Sequence, residues 1–446
     1  NLNTLVQSLN ADQSISRDEM IQILRSVGND GVVTATELSD LRRLVTTDSG
    51  FMMPAYVREL ARDVVNSNPA NLRFKGQTAG NLSAGSPTSL LNNLIDKWFL
   101  GADEPTVLGA GITYQLANGV LFSGNPTRTD ARQGYIGDCY FIAAITSIAD
   151  ANANAVRNMF LDNGDGTFTV RFFDSASVED YVTVNRRLPA FSNGTLAYAG
   201  VGNFVTNSGT VLWVALAEKA YAQWNETGKA GRDGSNSYAG IEGGWMSNVN
   251  RQILGFNSTN LSLATTTKQQ LINSLGGGRA VTIGTKSTSQ DGLVGSHAYT
   301  VTEYNATTDR FTLYNPWGMS HPGPLSWAQL QANCSLYTVT VSGGTSAIST
   351  NSVRSASSEK NVVNWYVVEV FSLESPATEA TLEKSVEFLR QSIDLQHNSM
   401  QQPTYSDWTT PPVENYRESE EDLLRELSAI TTDILMSEPG LESLFG

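Results

Sequence analysis

Three short blocks of sequence place the reactive side chains of this chain in a fixed order. The chain has 446 residues but only two cysteines and three histidines. Cys139 lies in QGYIGDCYFIAA, His297 in GSHAYTV and Asn315 in YNPWG. Because cysteine and histidine are so rare here, composition alone does not explain finding one of each inside such blocks. The surrounding patterns predict a helix-rich first half around the cysteine and a strand-rich second half around the histidine.

The sequence around Cys139 predicts a buried helix that starts near the cysteine. Gly137 and Asp138 end a turn before it. Three apolar residues of the following run YFIAAITSIADA lie at helical spacing: Phe141, Ile145 and Ile148. In the first turn of such a helix, unpaired N–H groups and the helix dipole favour an anion. A thiol attacks an amide well only as the thiolate, and the pKa of a free cysteine is about 8.5. This position therefore favours a nucleophilic thiol.

Four other side chains can support the chemistry of the cysteine. His297 is the candidate imidazolium partner of the thiolate. Asn315 can accept a hydrogen bond from one imidazole nitrogen, which fixes the tautomer and leaves the other nitrogen facing the sulfur. A tetrahedral oxyanion needs donors already in place, and the Cys139 N–H and the Gln133 amide can supply them. Trp317 can cover the bond between His297 and Asn315 and exclude water from it.

Each of these residues alone has an ordinary structural explanation. A free cysteine commonly packs as a small hydrophobe, and a single histidine in a strand is usually a satisfied core residue. NPWG by itself is typical of a turn. The combination of all the residues, in this order, favours the catalytic interpretation.

The blocks resemble the catalytic core of the calpain family of cysteine endopeptidases. Three further segments resemble parts of that core: the helix beneath the cysteine helix, a strand and turn, and the Gly-Gly loop beside the substrate cleft. They are VLWVALAEKAYA (211–222), DYVTVNRRLP (180–189) and IEGGW (241–245). Papain-type enzymes share the order Gln, Cys, His, Asn, but Asp138, Pro316 and the EKAYA sequence are calpain-like. The resemblance extends from about residue 100 to 373.

This resemblance implies an α+β, papain-like fold with a helical lobe and an antiparallel β lobe, in a bacterial-type form without the family's large C-terminal calcium module. It implies an endopeptidase with an acyl-thioenzyme intermediate, which we expect to process itself. The implied catalytic residues are the nucleophile Cys139, the general acid/base His297, the orienting residue Asn315 and the oxyanion donor Gln133. The expected substrate-binding residues are Gly137, Gly243, Gly244 and Trp317.

The resemblance also implies calcium ligands, which are assigned here one residue at a time. The sequence RTD at 128–130 resembles the motif whose aspartate contributes to the first of two calcium sites in the calpain core. Asp130 is therefore a candidate ligand, with Glu218 as its partner. The first acidic residue after Asn315 is Glu359, so we expect the second site to be absent. The expectation is one core calcium ion at most, and no cofactor for the chemistry itself.

We expect five segments along the chain: helical 1–70, a linker at 71–99, a Cys lobe at 100–248, a His/Asn lobe at 249–373 and an acidic helical extension at 374–446. In the first segment NDGVV precedes TELSDLRRLV and resembles an EF-hand loop and helix. With Gly31 at the sixth loop position, Ser26 and Gly28 occupy the first and third. Since calcium prefers carboxylates there, we expect a degenerate EF-hand. The β lobe is expected to contain the strands AVTIGT, HAYTVTEY, RFTLYNP, LYTVTV and NWYVVEVF.

Charge and composition exclude several classes of function. Residues 374–446 carry fifteen Asp or Glu and four Lys or Arg, a net charge of −11 out of −15 for the chain. No basic patch indicates nucleic acid, and no apolar run approaches the roughly 18 residues that span a bilayer. Cys334 is expected to be a buried free thiol. Abundant Asn, Ser and Thr with few Lys resembles exported proteins of bacteria, so we expect an exported or extracellular location. The oligomeric state is not indicated.

Two alternative functions use the same fold. One is a non-catalytic interaction protein, against which the complete set of Gln133, Cys139, His297 and Asn315 argues. The other is a papain-fold acyl transferase that passes the same acyl intermediate to an amine. The sequence does not exclude the transferase, but the calpain-like surroundings favour hydrolysis.

Overall fold

The computed structural model describes residues 6, 14–200 and 209–340. All of them lie in one compact unit, Asn1–Leu382. The expected strand NWYVVEVF and the acidic extension, including the second compact unit Glu383–Gly446, lie outside the described residues. Among the described helices, none combines the length and the apolar character that crossing a membrane requires.

From residue 14 onwards, the described N-terminal part of the fold contains the helices α1 (Arg17–Arg25), α2 (Ala35–Leu44) and α3 (Ala55–Val65). Glu37, at the twelfth position of the EF-like loop, completes a capping box with Thr34. Its carboxylate accepts the Thr34 N–H at 2.9 Å and the Gly28 N–H at 3.3 Å. The bond from the Thr34 N–H lowers the pKa of Glu37 the most, and the bonds from the Thr34 hydroxyl and the Gly28 N–H lower it further. The residue that would bind calcium in an EF-hand therefore acts here as a helix cap.

The segment expected to be a linker is largely ordered secondary structure. It contains a small hairpin, β1 (Arg73–Phe74) and β2 (Gln77–Thr78), followed by α4 (Thr88–Trp98). One face of α4 is buried: Leu91, Leu94, Ile95 and Trp98. The linker prediction for 71–99 was therefore wrong for its second half. The Gly/Ser-rich stretch ends before α4, where the apolar spacing of LLNNLIDKW becomes helical.

The Cys lobe shares its core with the N-terminal helices. Its helices are α5 (Cys139–Ala151), α6 (Ala153–Arg157), α7 (Trp213–Asn225) and α8 (Met246–Leu254). Its strands are β3 (Thr113–Leu116), β4 (Phe160–Asp162), β5 (Thr167–Phe173), β6 (Glu179–Asn185) and β7 (Arg187–Ala190). The strands β4, β5 and β6 form one antiparallel sheet, and β3 pairs with β7. Across the shared core, Arg17 of α1 donates to the Phe99 carbonyl at 2.6 Å and to the Asp165 carboxylate at 2.8 Å.

The helix α5 packs directly on α7 in the centre of this lobe. The rings of Phe141 and Tyr221 stack with centroids 4.5 Å apart and planes at 19°. Every residue of α7 is buried, including Glu218 and Lys219. The predicted pairing of the cysteine helix with the EKAYA helix is therefore present, and α7 is surrounded by protein on all sides.

Among the described residues, the β lobe contains a five-stranded antiparallel sheet in the order β11-β10-β9-β12-β8. Its strands are β8 (Thr259–Ser262), β9 (Val281–Thr285), β10 (Ala298–Asn305), β11 (Arg310–Tyr314) and β12 (Cys334–Val339). Two helices accompany them, α9 (Lys268–Ser274) and α10 (Trp327–Asn333). This lobe has its own buried cluster, which includes Ile283, Tyr299 and Phe311. The α+β fold class with helical and β lobes is confirmed, although α8 runs across the expected boundary at 248/249.

Direct hydrogen bonds join the two lobes beside Cys139. The Thr300 hydroxyl donates to the Ala143 carbonyl at 3.1 Å, and the Ser147 hydroxyl donates to the Val281 carbonyl at 3.3 Å. The helix α5 therefore lies along β9 and β10. This arrangement brings the N-terminus of α5 towards the start of β10, which His297 immediately precedes.

Candidate active site

Cys139 is the first residue of α5, as the sequence predicts. Asp138 is the N-cap residue, and its side chain makes no cap hydrogen bond. Its carbonyl instead accepts the N–H groups of Phe141 at 2.8 Å and Ile142 at 3.1 Å, which starts the helix. The sulfur thus projects from the end of the helix that carries unpaired N–H groups.

Burial outweighs the helix terminus in setting the acidity of this thiol. Loss of water raises the pKa of Cys139 to about 11, and the negative charge of Asp138 acts in the same direction. The backbone N–H groups of Ala298, Tyr140 and Cys139 itself lower it. Because Ala298 directly follows His297, the sulfur lies against the start of β10. The helix terminus therefore does not lower the pKa of this thiol by itself, and the imidazolium partner expected of His297 is needed to form the thiolate.

The orientation of the Asn315 side chain determines the tautomer of His297. The Asn315 Nδ2 donates to the Ser320 carbonyl at 3.2 Å, and its Oδ1 accepts the Trp317 N–H at 3.1 Å. These two bonds fix which end of the amide faces the imidazole. The Oδ1 atom lies 3.0 Å from His297 Nε2. Since Oδ1 can only accept, Nε2 carries the proton, and Nδ1 is left with its lone pair.

Aromatic rings enclose this histidine and asparagine. The Trp317 ring lies 5.0 Å from the His297 ring between centroids, and the Tyr299 ring meets it edge-on at 4.9 Å. His297 is 7 % exposed and Asn315 is fully buried. Burial lowers the pKa of His297, while the bond to Asn315 raises it. Water therefore competes little for the bond between these two side chains.

A third histidine supports the same asparagine, and sequence reasoning missed it. His321 Nδ1 accepts the Asn315 N–H at 3.1 Å, and its ring stacks on Tyr314 with centroids 4.4 Å apart. The chain has only three histidines. The position of one of them six residues after Asn315 was a signal that could have found it.

Gln133 lies in the turn before α5 with its amide held in one orientation. Its Nε2 donates to the Ile136 carbonyl at 2.8 Å, while its Oε1 is buried and has no hydrogen-bond partner among the described residues. One Nε2 hydrogen remains free of that bond. The Gln133 backbone N–H donates to the Pro316 carbonyl at 2.8 Å. The first and third sequence blocks are therefore in direct contact.

The Gly-Gly loop is bonded to the turn that carries the nucleophile candidate. The Gly243 N–H donates to the Gly137 carbonyl at 2.9 Å, and the Gly137 N–H donates to the Glu242 carboxylate at 3.1 Å. A Cβ atom at Gly244 would lie 2.5 Å from ring carbons of Tyr140. The absence of a side chain at Gly244 therefore lets this loop lie against α5. Glu242 is a second residue that sequence reasoning missed.

Residues 113–331 match the family model described as calpain family cysteine protease. This region is a calpain-family cysteine protease domain. The chain is 26% identical to calpain clp-4 of Caenorhabditis elegans over 48% of its own length and 30% of that protein. It is 30% identical to a calpain of Schistosoma mansoni over 47% of the chain and 29% of that protein. It is 29% identical to mouse (Mus musculus) calpain-9 over 44% of the chain and 29% of that protein. The matched regions cover less than a third of each of these relatives.

The calcium ligands expected in the calpain domain have other partners. The Asp130 Oδ2 atom accepts the Thr127 N–H and the Trp213 Nε1–H, each at 2.9 Å. Both oxygens of Glu218 accept the Ala199 N–H, at 3.2 and 3.0 Å. Among the described residues, no three or more His, Cys, Asp or Glu side chains group together to hold a metal ion. Calcium takes six to eight oxygen ligands, which include backbone carbonyls and waters as well as carboxylates, so the calcium site at Asp130 and Glu218 stays a prediction.

Cys334, the second cysteine of the chain, begins β12 and is a buried free thiol, as expected. Burial raises its pKa to about 12. Its thiol is therefore neutral and poorly reactive at neutral pH. The two cysteines differ in exposure, since Cys139 is partly exposed.

Proposed function

We propose that this chain is a cysteine endopeptidase that hydrolyses peptide bonds with Cys139 as nucleophile, His297 as general acid/base and Asn315 as the orienting residue. The observation that carries the proposal is the fixed orientation of the Asn315 amide. It puts the proton of His297 on Nε2 and leaves the Nδ1 lone pair to accept the thiol proton. A histidine with only a structural role needs no such selection between its two nitrogens.

The reaction proceeds in two halves. The Cys139 thiol gives its proton to His297 Nδ1, and the thiolate attacks the carbonyl carbon of the substrate. The Cys139 N–H and the free N–H of Gln133 donate to the resulting oxyanion. His297 then protonates the departing amine, which leaves a thioester. A water molecule, deprotonated by the same Nδ1, hydrolyses that thioester, and the proton returns to the sulfur.

The proton transfer needs thiol and imidazole in contact. Separately, burial favours the neutral form of each, because it raises the pKa of Cys139 to about 11 and lowers the pKa of His297. Their opposite charges stabilise each other only as a pair. The hydrogen bonds of the described residues do not include one between the sulfur and the imidazole ring. Since direct bonds already join the lobes beside α5, we infer that a local movement of the two side chains completes the pair.

Substitution of the nucleophile tests the proposal, with the second cysteine as a matched control. Cys139→Ala and Cys139→Ser abolish peptide cleavage and labelling by a thiol-directed peptide inhibitor, with the thermal unfolding transition preserved. Cys334→Ala retains both activities, because Cys334 lies in the core of the β lobe. Peptide cleavage by purified Cys139→Ala at the wild-type rate would refute the assignment.

The same samples separate hydrolysis from the alternatives. Product analysis with and without an added amine distinguishes the endopeptidase, which releases a free acid in both cases, from an acyl transferase, which forms an amide.

Self-processing is also part of the proposal: the active chain shortens with time while Cys139→Ala stays intact. Equal fragmentation of the two would indicate a contaminating protease. Binding without turnover in the wild type would favour an interaction protein.

A further inference from the structure

The segment that follows Asn315 folds back onto that residue and binds each of its polar groups. The Asn315 carbonyl accepts the Gly318 N–H at 3.0 Å, and the Asn315 N–H donates to His321 Nδ1 at 3.1 Å. The side-chain Oδ1 accepts the Trp317 N–H at 3.1 Å, and Nδ2 donates to the Ser320 carbonyl at 3.2 Å. Because Asn315 is fully buried, residues 317–321 set its position.

Of these four partners of Asn315, His321 is the one that contributes a side-chain atom. Strand β11 ends at Tyr314, so the Asn315 N–H lies beyond the strand and has His321 as its acceptor. Gly318 and Ser320 have φ angles of 68° and 53°, in the left-handed region that turns the chain sharply. These turns bring the imidazole back to the N–H of a residue six positions earlier.

The bond between Asn315 and His321 requires a neutral imidazole. Since the Asn315 N–H can only donate, His321 Nδ1 accepts with its lone pair, and the ring proton is on Nε2. A protonated imidazole donates through both nitrogens and accepts at neither. His321 is exposed to solvent, and imidazoles change charge between about pH 5 and pH 8. Acid therefore removes the acceptor of a buried N–H group.

The charged groups near His321 are of both signs. Its ring stacks on Tyr314 with centroids 4.4 Å apart, and the Arg128 guanidinium lies 5.4 Å from the centroid of the same phenol ring. Two cations and two anions act on that phenol: Arg128, Arg132, Asp130 and Asp150. Arg128 forms an ion pair with Asp150. The charges on this side of the imidazole therefore largely cancel.

We propose that His321 is a positioning residue that acts on His297 through Asn315. Neutral His321 holds the Asn315 backbone in place, and with it the Oδ1 atom that lies 3.0 Å from His297 Nε2. Protonated His321 releases the Asn315 N–H, so Asn315 no longer fixes the His297 ring. The inference rests on the proposed roles of His297 and Asn315, and it adds to them a loss of activity in acid.

Two substitutions of His321 separate the acceptor from the ring. His321→Asn places Oδ1 where Nδ1 lies in the wild type and does not titrate, whereas His321→Ala removes the acceptor. At about pH 7.5, His321→Ala lowers kcat/KM for a fluorogenic peptide about fivefold, the lower end for a buried unpaired donor, because water reaches this exposed site. His321→Asn restores most of that loss. At about pH 5, where an imidazole is protonated, His321→Asn is about fivefold more active than the wild type.

Met319→Ala is the matched control, because this exposed side chain lies in the same segment and has no nitrogen or oxygen atom to bond Asn315. It keeps the wild-type pH profile. Equal kcat/KM values for His321→Asn and His321→Ala would overturn the inference. An acid limb of His321→Asn that superimposes on that of the wild type would do the same.

Nitrogen-15 NMR of the imidazoles tests the inference without peptide hydrolysis. The chain has three histidines, so His297→Ala and His321→Asn identify the signals of the two rings by their loss. Neutral His321 has the Nε2–H tautomer, and its protonation changes the His297 signals in the wild type. That change is absent from the His297 signals of His321→Asn. If His321→Ala does not fold, this comparison decides, and a neutral His321 with its proton on Nδ1 refutes the bond to Asn315.

The two proposals fail in different ways. A chain in which protonation of His321 changes the His297 signals, but which cleaves no peptide, retains the positioning role and loses the protease assignment. A chain that cleaves peptides equally well with asparagine or alanine at position 321 retains the protease assignment and loses the positioning role.

Discussion

Replacement of Asn315 by alanine removes the residue that orients His297. In the wild type, Asn315 Oδ1 accepts from His297 Nε2 at 3.0 Å and from the Trp317 N–H at 3.1 Å. Alanine leaves both donors without that acceptor in a place where His297 is only 7 % exposed. The ring also loses the contact that selects its tautomer, so the Nδ1 lone pair no longer faces the sulfur in every molecule.

The size of the effect follows from the cost of a buried unpaired donor. Leaving one such group unsatisfied costs about 1–3 kcal/mol. If that cost raises the free energy of the transition state by the same amount, kcat/KM decreases roughly fivefold to 150-fold. The bond to Asn315 also raises the pKa of His297. Its loss therefore shifts the alkaline limb of the pH–rate profile, where the imidazolium loses its proton, to lower pH.

The assay is kcat/KM for a fluorogenic peptide, measured across pH and corrected for the fraction of folded protein. Asn333→Ala is the matched control, because Asn333 is equally buried in the same lobe and equally hydrogen-bonded. Its side chain accepts the Gln290 N–H at 2.7 Å and donates to Asp291 at 2.8 Å. Asn333→Ala lowers stability but keeps the wild-type pH profile. An Asn315→Ala enzyme with kcat/KM and pH limbs equal to those of Asn333→Ala would refute the orienting role.

Three further outcomes follow from the described contacts. In a urea titration, Gly244→Ala lowers the free energy of unfolding by about 1–3 kcal/mol, because the new Cβ overlaps Tyr140. Gly323→Ala changes this free energy little, because a Cβ there lies within 4 Å of none of the described residues. Because the pKa of Asp138 rises from 3.8 to about 7 on folding, the stability that its proton contributes is complete below about pH 4 and is lost as the pH rises through 7. The melting temperature of the wild type relative to Asp138→Asn therefore falls between about pH 5 and pH 8, and a constant difference would contradict this sign. Peptide cleavage persists in chelator, because direct bonds join the lobes; restoration of lost activity by added calcium would contradict this.

Much of the site was predictable because its chemistry lies in short, local patterns. The spacing of Phe141, Ile145 and Ile148 predicted α5, and all three are buried. The accepting role of Asn315 towards the imidazole followed from residue type alone and matches the observed bond. Local periodicity and hydrogen-bonding capacity can be read from sequence without knowledge of long-range packing.

The features that sequence reasoning missed depend on contacts between distant parts of the chain. Gly137 and Glu242 are 105 positions apart, and nothing in either local pattern indicates that they bond to each other. The helix terminus at Cys139 is visible in sequence, whereas the burial that raises the pKa of the thiol arises from the packed fold. The helix α4 was missed because a polar Gly/Ser stretch directly precedes its apolar face.

The shared core of the N-terminal helices and the Cys lobe affects how this protein can be divided. The region that matches the calpain family starts at residue 113, yet Arg17 reaches across to Asp165 within it. Tyr56 likewise lies 6.4 Å from Tyr181 between ring centroids. A shortened chain that began at the family boundary would expose to water the surface that these helices now cover. The unit that comparison recognises is therefore smaller than the unit that can be excised and still fold.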